Sequence, residues 1–62
     1  MESNKDITRE NIVSAASIAF SKFGYKKTTL DDIASFTNVR KTGIYYYFKN
    51  KEEVFNEVIK KE

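Results

Sequence analysis

The sequence predicts an all-α domain of three short helices plus the start of a fourth, and three observations carry that prediction. Proline is absent and glycine occurs only twice, so few residues interrupt a helix. Apolar residues recur at spacings of three and four, the period of a helix with one buried face. Thr29 and Asn50 each stand ahead of an apolar run with an acidic residue three positions on, the pattern of a helix start. The 62 residues make one small domain, 1–62, and leave no room for a separate catalytic or ligand-binding domain. A chain of this length buries only about 60% of its unfolded surface, so its stability is marginal.

The first helix is predicted from Thr8 to Phe23. Ile12, Ala15, Ala16, Ala19, Phe20 and Phe23 form its apolar stripe. Thr8 or Asp6 is positioned to cap its start, and Gly24 follows the last periodic residue, where positive φ is needed. After a loop, Tyr25–Thr28, the second helix starts at Thr29 with Asp31 and Asp32 in its positive first turn. It runs to about Phe36 and buries Leu30, Ile33 and Ala34, with Phe36 a further core candidate. Thr37-Asn38-Val39 forms the turn, with Asn38 able to take the left-handed conformation and Val39 plugging the core. The third helix spans about Lys41 to Tyr47, with Ile44 and Phe48 inward. Asn50 then caps a fourth helix, Glu53 reaches back, and Val54, Phe55, Val58 and Ile59 follow. Two short helices joined by a few turn residues, about 29–48, make a helix-turn-helix, whose second member lies in the major groove of DNA.

Composition excludes much chemistry. Without cysteine there is no disulfide framework and no thiolate, and without histidine the commonest general base and metal ligand are missing. No catalytic residue, metal site or cofactor is expected. No run approaches the roughly 20 apolar residues of a bilayer span, and the first residues do not form a secretory signal. A reducing, cytoplasmic setting fits. Net charge is +2, but Lys22 to Lys51 holds seven basic and two acidic residues, while the ends hold four basic and seven acidic. A basic middle between acidic ends suggests an anionic partner, although a solvated charged surface explains charge alone.

The sharpest local signal is Arg40-Lys41-Thr42-Gly43-Ile44-Tyr45-Tyr46-Tyr47-Phe48-Lys49. Successive helical residues point about 100° apart, so three tyrosines in a row cannot all face one core. Exposed phenol rings among cations suit nucleic acid, where rings pack on sugars and thymine methyls and hydroxyls bond phosphates.

In order along the chain, Ile12, Ala15, Ala16, Ala19, Phe20 and Gly24 are followed by Thr28, Thr29, Ile33 and Ala34. Then come Val39, Lys41, Ile44, Tyr45, Tyr46, Tyr47, Phe48, Lys49, Lys51, Glu52, Glu53, Val54 and Phe55. This series resembles the N-terminal, homeodomain-like DNA-binding domain of the tetracycline-repressor (TetR) family over almost the whole chain. The resemblance implies a bacterial, cytoplasmic and nucleoid-associated transcriptional regulator, a repressor that binds a double-stranded DNA operator as a homodimer. A further C-terminal domain would dimerise and take up a small-molecule inducer. By the same resemblance, Lys41, Thr42, Gly43, Tyr45 and Tyr46 face the groove, and Thr29, Tyr47 and Lys51 meet phosphates.

The chain departs from the family pattern at three places. Asn38 stands in place of the turn glycine. Arg40 stands where serine caps the third helix; it cannot cap and is assigned to a phosphate. Thr42-Gly43 inverts the common Gly-Thr order, and Gly43 has no side chain to read a base, which leaves close backbone approach as its use. Tyr45, next to Ile44, divides evenly between core and contact, while Lys26 and Lys27 read as solubilising loop charges. A protein-interaction module using the tyrosine face is the competing function, since Tyr and Arg also favour such interfaces.

Overall fold

In the computed structural model, which describes residues 4–61, four helices follow one another: α1 (Asn4–Phe23), α2 (Leu30–Ser35), α3 (Lys41–Tyr47) and α4 (Lys51–Lys61). The long α1 packs mainly on α4 and then on α2, and α2 packs on α3. The Cα radius of gyration is 10.6 Å, close to the value of about 10.5 Å for a folded chain of this length. No helix among the described residues is long and apolar enough to cross a membrane. No cluster of metal-binding side chains occurs among them either.

One core serves all four helices. Ile12, Val13, Ala15, Ala16 and Ala19 of α1 meet Leu30 and Ile33 of α2, Ile44 and Phe48 at α3, and Val54 of α4. Val13 lies outside the stripe read from spacing, because α1 is covered by α2 and α4 together and buries a wider arc than one partner requires. Phe20, Ala34, Val39, Tyr47 and Val58 are half-buried against this core. Val39 thus plugs the turn as its apolar character predicted.

The short helices depend on their ends. Thr29 caps α2: its hydroxyl accepts from the Asp32 N–H at 3.1 Å, and the Asp32 carboxylate accepts from the Thr29 N–H at 3.0 Å. Asn50 Oδ1 accepts from the Glu53 N–H at 3.0 Å ahead of α4. Glu53 does reach back, but to the N–H of Lys49 at 2.9 Å rather than to that of the cap itself. Gly24 ends α1 at φ +85°, and its N–H reaches the Phe20 carbonyl at 2.9 Å.

Several expectations change. α1 begins at Asn4, so Asp6 and Thr8 both lie inside the helix rather than ahead of its first residue. Asn38 does not adopt the left-handed conformation; among the described residues positive φ occurs at Gly24 alone, and the turn closes without it. Phe23 and Phe36 are exposed. Phe23 sits in the last turn of α1, and Phe36 is the residue that ends α2. The two rings lean on each other at 6.1 Å instead of entering the core.

Thr28 is the polar member of the interior, only 1% exposed. Its single hydroxyl proton serves the Gly24 carbonyl at 2.7 Å, with the Ala19 carbonyl 3.2 Å away as the alternative acceptor. The Gly24 carbonyl lies just past the end of α1 and that of Ala19 in its last two turns, so the hydroxyl ties the loop to the C-terminal end of the helix. Thr28→Val keeps the shape and removes the donor. The expected loss is about 1 kcal/mol, read as a melting temperature lower by about 4–8 °C for a domain of this size. An unchanged melting temperature would show that this bond does not hold the loop to α1.

Candidate nucleic-acid interface

The turn between α2 and α3 aims α3 across the molecule, and its residues then sort by angle. With Ile44 buried, each neighbour turns about 100° from the last. Lys41, Thr42, Tyr45 and Tyr46 fall on one outward arc and all four are exposed. Lys41 stands one turn before Tyr45, and Thr42 one turn before Tyr46. Tyr45 is 50% exposed and Tyr46 69%, which places Tyr45 on the surface rather than in the core. Tyr47 lies on the other flank, half-buried, and meets Tyr46 edge-on at 5.1 Å.

The flank that carries Tyr47 also carries Gly43. A Cβ at Gly43 would sit 2.8 Å from Cγ1 of Val39. The missing side chain therefore has a structural reason: Val39, packed on the core in the turn, occupies its space. The Thr42-Gly43 order keeps threonine on the outward arc and glycine against the turn. Gly43 thus points toward Val39, away from the arc of Lys41, Thr42, Tyr45 and Tyr46.

Arg40 precedes α3 in extended conformation, exposed, with no side-chain hydrogen bond capping the helix. Lys41 pairs with Asp31 of the first turn of α2, Nζ to Oδ2 3.3 Å, and its ammonium lies 6.0 Å from the Tyr45 ring centre. The pair brings the first turns of α2 and α3 to one side of the domain. Both groups are well exposed, so the bond is weak in water and open to exchange for an anionic partner. Asp31 as the partner of Lys41 is not visible in the sequence, where it reads as a helix-dipole residue only.

Thr29 is exposed at the start of α2 beside that pair. Lys51 is half-buried, and its ammonium turns toward the α1–α2 loop. It donates to the carbonyls of Tyr25 at 2.6 Å and Lys26 at 3.3 Å, and lies 4.3 Å from the Tyr25 ring centre. The structure therefore brings Arg40, Lys41, Thr42, Tyr45 and Tyr46 together around the start of α3. Thr29 joins them through the Asp31 link. Gly43 and Tyr47 sit on the inner flank, and Lys51 serves the loop. At the base of the site Arg9 closes the fold: its guanidinium lies over Phe48 at 5.3 Å and pairs with Glu57 at 3.1 Å.

A short helix presenting cations and exposed tyrosines, set on a second short helix by a tight turn, is the geometry of a helix-turn-helix. The family described as bacterial regulatory proteins, tetR family, matches residues 12–58. The chain belongs to the TetR family. Among TetR-family relatives, the HTH-type transcriptional regulator YhgD of Bacillus subtilis is 53% identical over 47 residues, 76% of this chain and 25% of that protein. A probable acrEF/envCD operon repressor of Escherichia coli is 43% identical over 51 residues, 82% of this chain and 23% of that protein. The biofilm operon icaADBC negative regulator IcaR of Staphylococcus epidermidis is 39% identical over 51 residues, 82% of this chain and 28% of that protein. The chain thus spans about a quarter of the length of these relatives. No solved structure gave a significant match. What the chain contains is the DNA-binding domain of a TetR-family transcriptional regulator.

The Gly43–Val39 contact can be measured as a coupling. Gly43→Ala gains about 1 kcal/mol of helix propensity, but forces a shift of the stiff Val39 side chain, an overpacking that destabilises by about 1–3 kcal/mol. In a Val39→Ala background the obstruction is gone, and Gly43→Ala should then stabilise by about 1 kcal/mol. Equal effects of Gly43→Ala in both backgrounds, read by chemical denaturation, would remove the packing explanation.

Proposed function

We propose that the protein carrying this domain is an operator-binding repressor. In this reading Lys41, Thr42, Tyr45 and Tyr46 meet base edges and thymine methyls in the major groove. Thr29, Arg40 and the Tyr47 hydroxyl hold the flanking phosphates. Gly43 lies behind this face, leaving room for Val39 in the turn, and Lys51 lies at the edge of the same surface. The observation that carries the reading is the outward arc of α3: four exposed residues, two of them tyrosines, beginning beside two cations. Exposed aromatic rings have no role in a solvated face, and phosphates dominate the affinity of such basic surfaces.

Repression is supported by two of the relatives, one named an operon repressor and one a negative regulator. A single recognition helix covers one half-site, and a two-fold partner is needed to place a second helix about one turn of DNA away. The protein therefore works as a homodimer whose other region takes up a small-molecule inducer. In keeping with that arrangement, Ile59 of α4 is an apolar residue left 53% exposed. Such a regulator works in the bacterial cytoplasm, on the nucleoid.

Tyr46→Ala tests the arc. Removal of an exposed surface ring should change stability by no more than about 1 kcal/mol. DNA affinity should fall about tenfold, the scale of one lost base contact. Unchanged melting together with unchanged DNA binding would leave the tyrosine face without a nucleic-acid role and favour a protein partner.

Arg40→Ala tests the phosphate assignment. Binding should weaken alike on all sequences, and the slope of log K against log salt should fall by about 0.9. An altered sequence preference with an intact slope would instead place Arg40 on a base.

A further inference from the structure

The residue with the least expected partners is Lys51. Its ammonium does not point from the basic face into solvent; it is bonded to two carbonyls 26 and 25 residues earlier in the chain. Those carbonyls belong to Tyr25 and Lys26, in the connection between Gly24 and Thr29. The same ammonium lies over the Tyr25 ring at 4.3 Å, a favourable cation–ring distance. Tyr25 is itself wedged between Phe55 of α4 at 4.7 Å and Phe20 of α1 at 5.6 Å, and Phe20 meets Phe55 edge-on at 5.2 Å. Three rings and one ammonium therefore close around a four-residue loop.

That loop has an anchor at its other end. Thr28 is buried, its N–H on the Gly24 carbonyl at 3.1 Å and its hydroxyl on the same group at 2.7 Å. Immediately after it, Thr29 caps α2. The position of Thr29 is thus set by Thr28 from within and by Lys51 from across the fold. A lysine bonded to carbonyls is a fixed strut, because each charge-assisted bond is stronger than a neutral one.

Resting on the DNA-binding reading above, we propose that Lys51 is a positioning residue: it clamps the Gly24–Thr29 connection to the first turn of α4 and so sets where the start of α2 meets the DNA backbone. Its effect on binding passes through the loop rather than through a phosphate bond of its own. The clamp also makes the start of α4 and the start of α2 one unit, although Lys51 lies 22 positions after Thr29 in the sequence.

The test uses the 62-residue chain with Lys51→Met, which keeps the apolar stem and deletes the ammonium, and Tyr25→Leu, which deletes the ring without changing charge. Amide exchange of Thr28 and Thr29 is followed without DNA, at a temperature where melting curves show every variant folded. The clamp predicts about ten- to a hundredfold faster exchange at these two amides in Lys51→Met, the scale of a lost hydrogen bond to a charged donor. DNA affinity should fall about tenfold in Lys51→Met and fall also in the charge-neutral Tyr25→Leu. The double variant should bind no worse than Lys51→Met alone, because both act through one loop. Unchanged exchange with weaker binding and a salt slope lower by about 0.9 would make Lys51 a direct phosphate ligand and overturn the proposal. Faster exchange with unchanged DNA affinity would overturn it too, leaving a structural strut with no part in binding. The exchange measurement needs no DNA, so its failure is separate from a failure of the wild-type chain to bind DNA, which would sink the functional reading instead.

Discussion

Helices of six and seven residues do not persist alone in water, and the interface of this domain is made of two such helices. Their existence depends on the apolar arc of α1. Ile33 of α2 and Ile44 of α3 are fully buried in the same cluster as Ile12, Ala16 and Ala19. The alanines matter as much as the isoleucines, because small side chains along α1 let α2 and α4 approach its backbone. Once those positions are buried, the capping box at Thr29 and the buried Thr28 hydroxyl fix where α2 begins. The direction of α3 then follows from the turn that Val39 seals.

This order of dependence explains which parts of the molecule could be read from the sequence. Local signals were legible where the chemistry is local. Thr29, Asn50 and Gly24 act at helix ends because their partners lie three or four residues away. The outward direction of Tyr46 follows from its angle to Ile44 and Phe48. Tyr45 was undecided because one residue from a buried position lies at the boundary of the arc, and only the width of the covering surface determines the outcome. Phe23 and Phe36 fail for the same reason. Their spacing fits a buried stripe, but the neighbouring helix does not extend over them, and spacing carries no information about where a partner ends.

Other features were hidden because their partners lie far along the chain or in a turn whose path the helical period does not give. Lys51 reads as a cation at a helix start, and nothing near it announces two carbonyls 25 and 26 residues away. Gly43 reads as a helix-weakening residue until Val39, the last residue of the turn, is placed beside it. Asp31 reads as a first-turn acid until α3 brings Lys41 within 3.3 Å. In each case the residue type has a sufficient local explanation, so the sequence alone gives no reason to seek a second one.

The Asp31–Lys41 pair also bears on how such a surface discriminates. A basic face without acids binds any phosphate backbone, since charge neutralisation carries no sequence information. An acid within the face opposes that general attraction and keeps the Lys41 ammonium directed until a better acceptor arrives. An exposed ion pair of this kind contributes little to stability, so exchanging its carboxylate for a base acceptor loses little folding energy. Tyr45 and Tyr46 complete the logic on the same arc. As proposed DNA contacts they would add area with few rotatable bonds and no charge, so their contribution would depend on fit rather than on the density of phosphates. Under the proposed DNA-binding reading, the face would combine cations that attract, a carboxylate that restrains one of them, and rings whose contacts would form only where the groove has the matching shape.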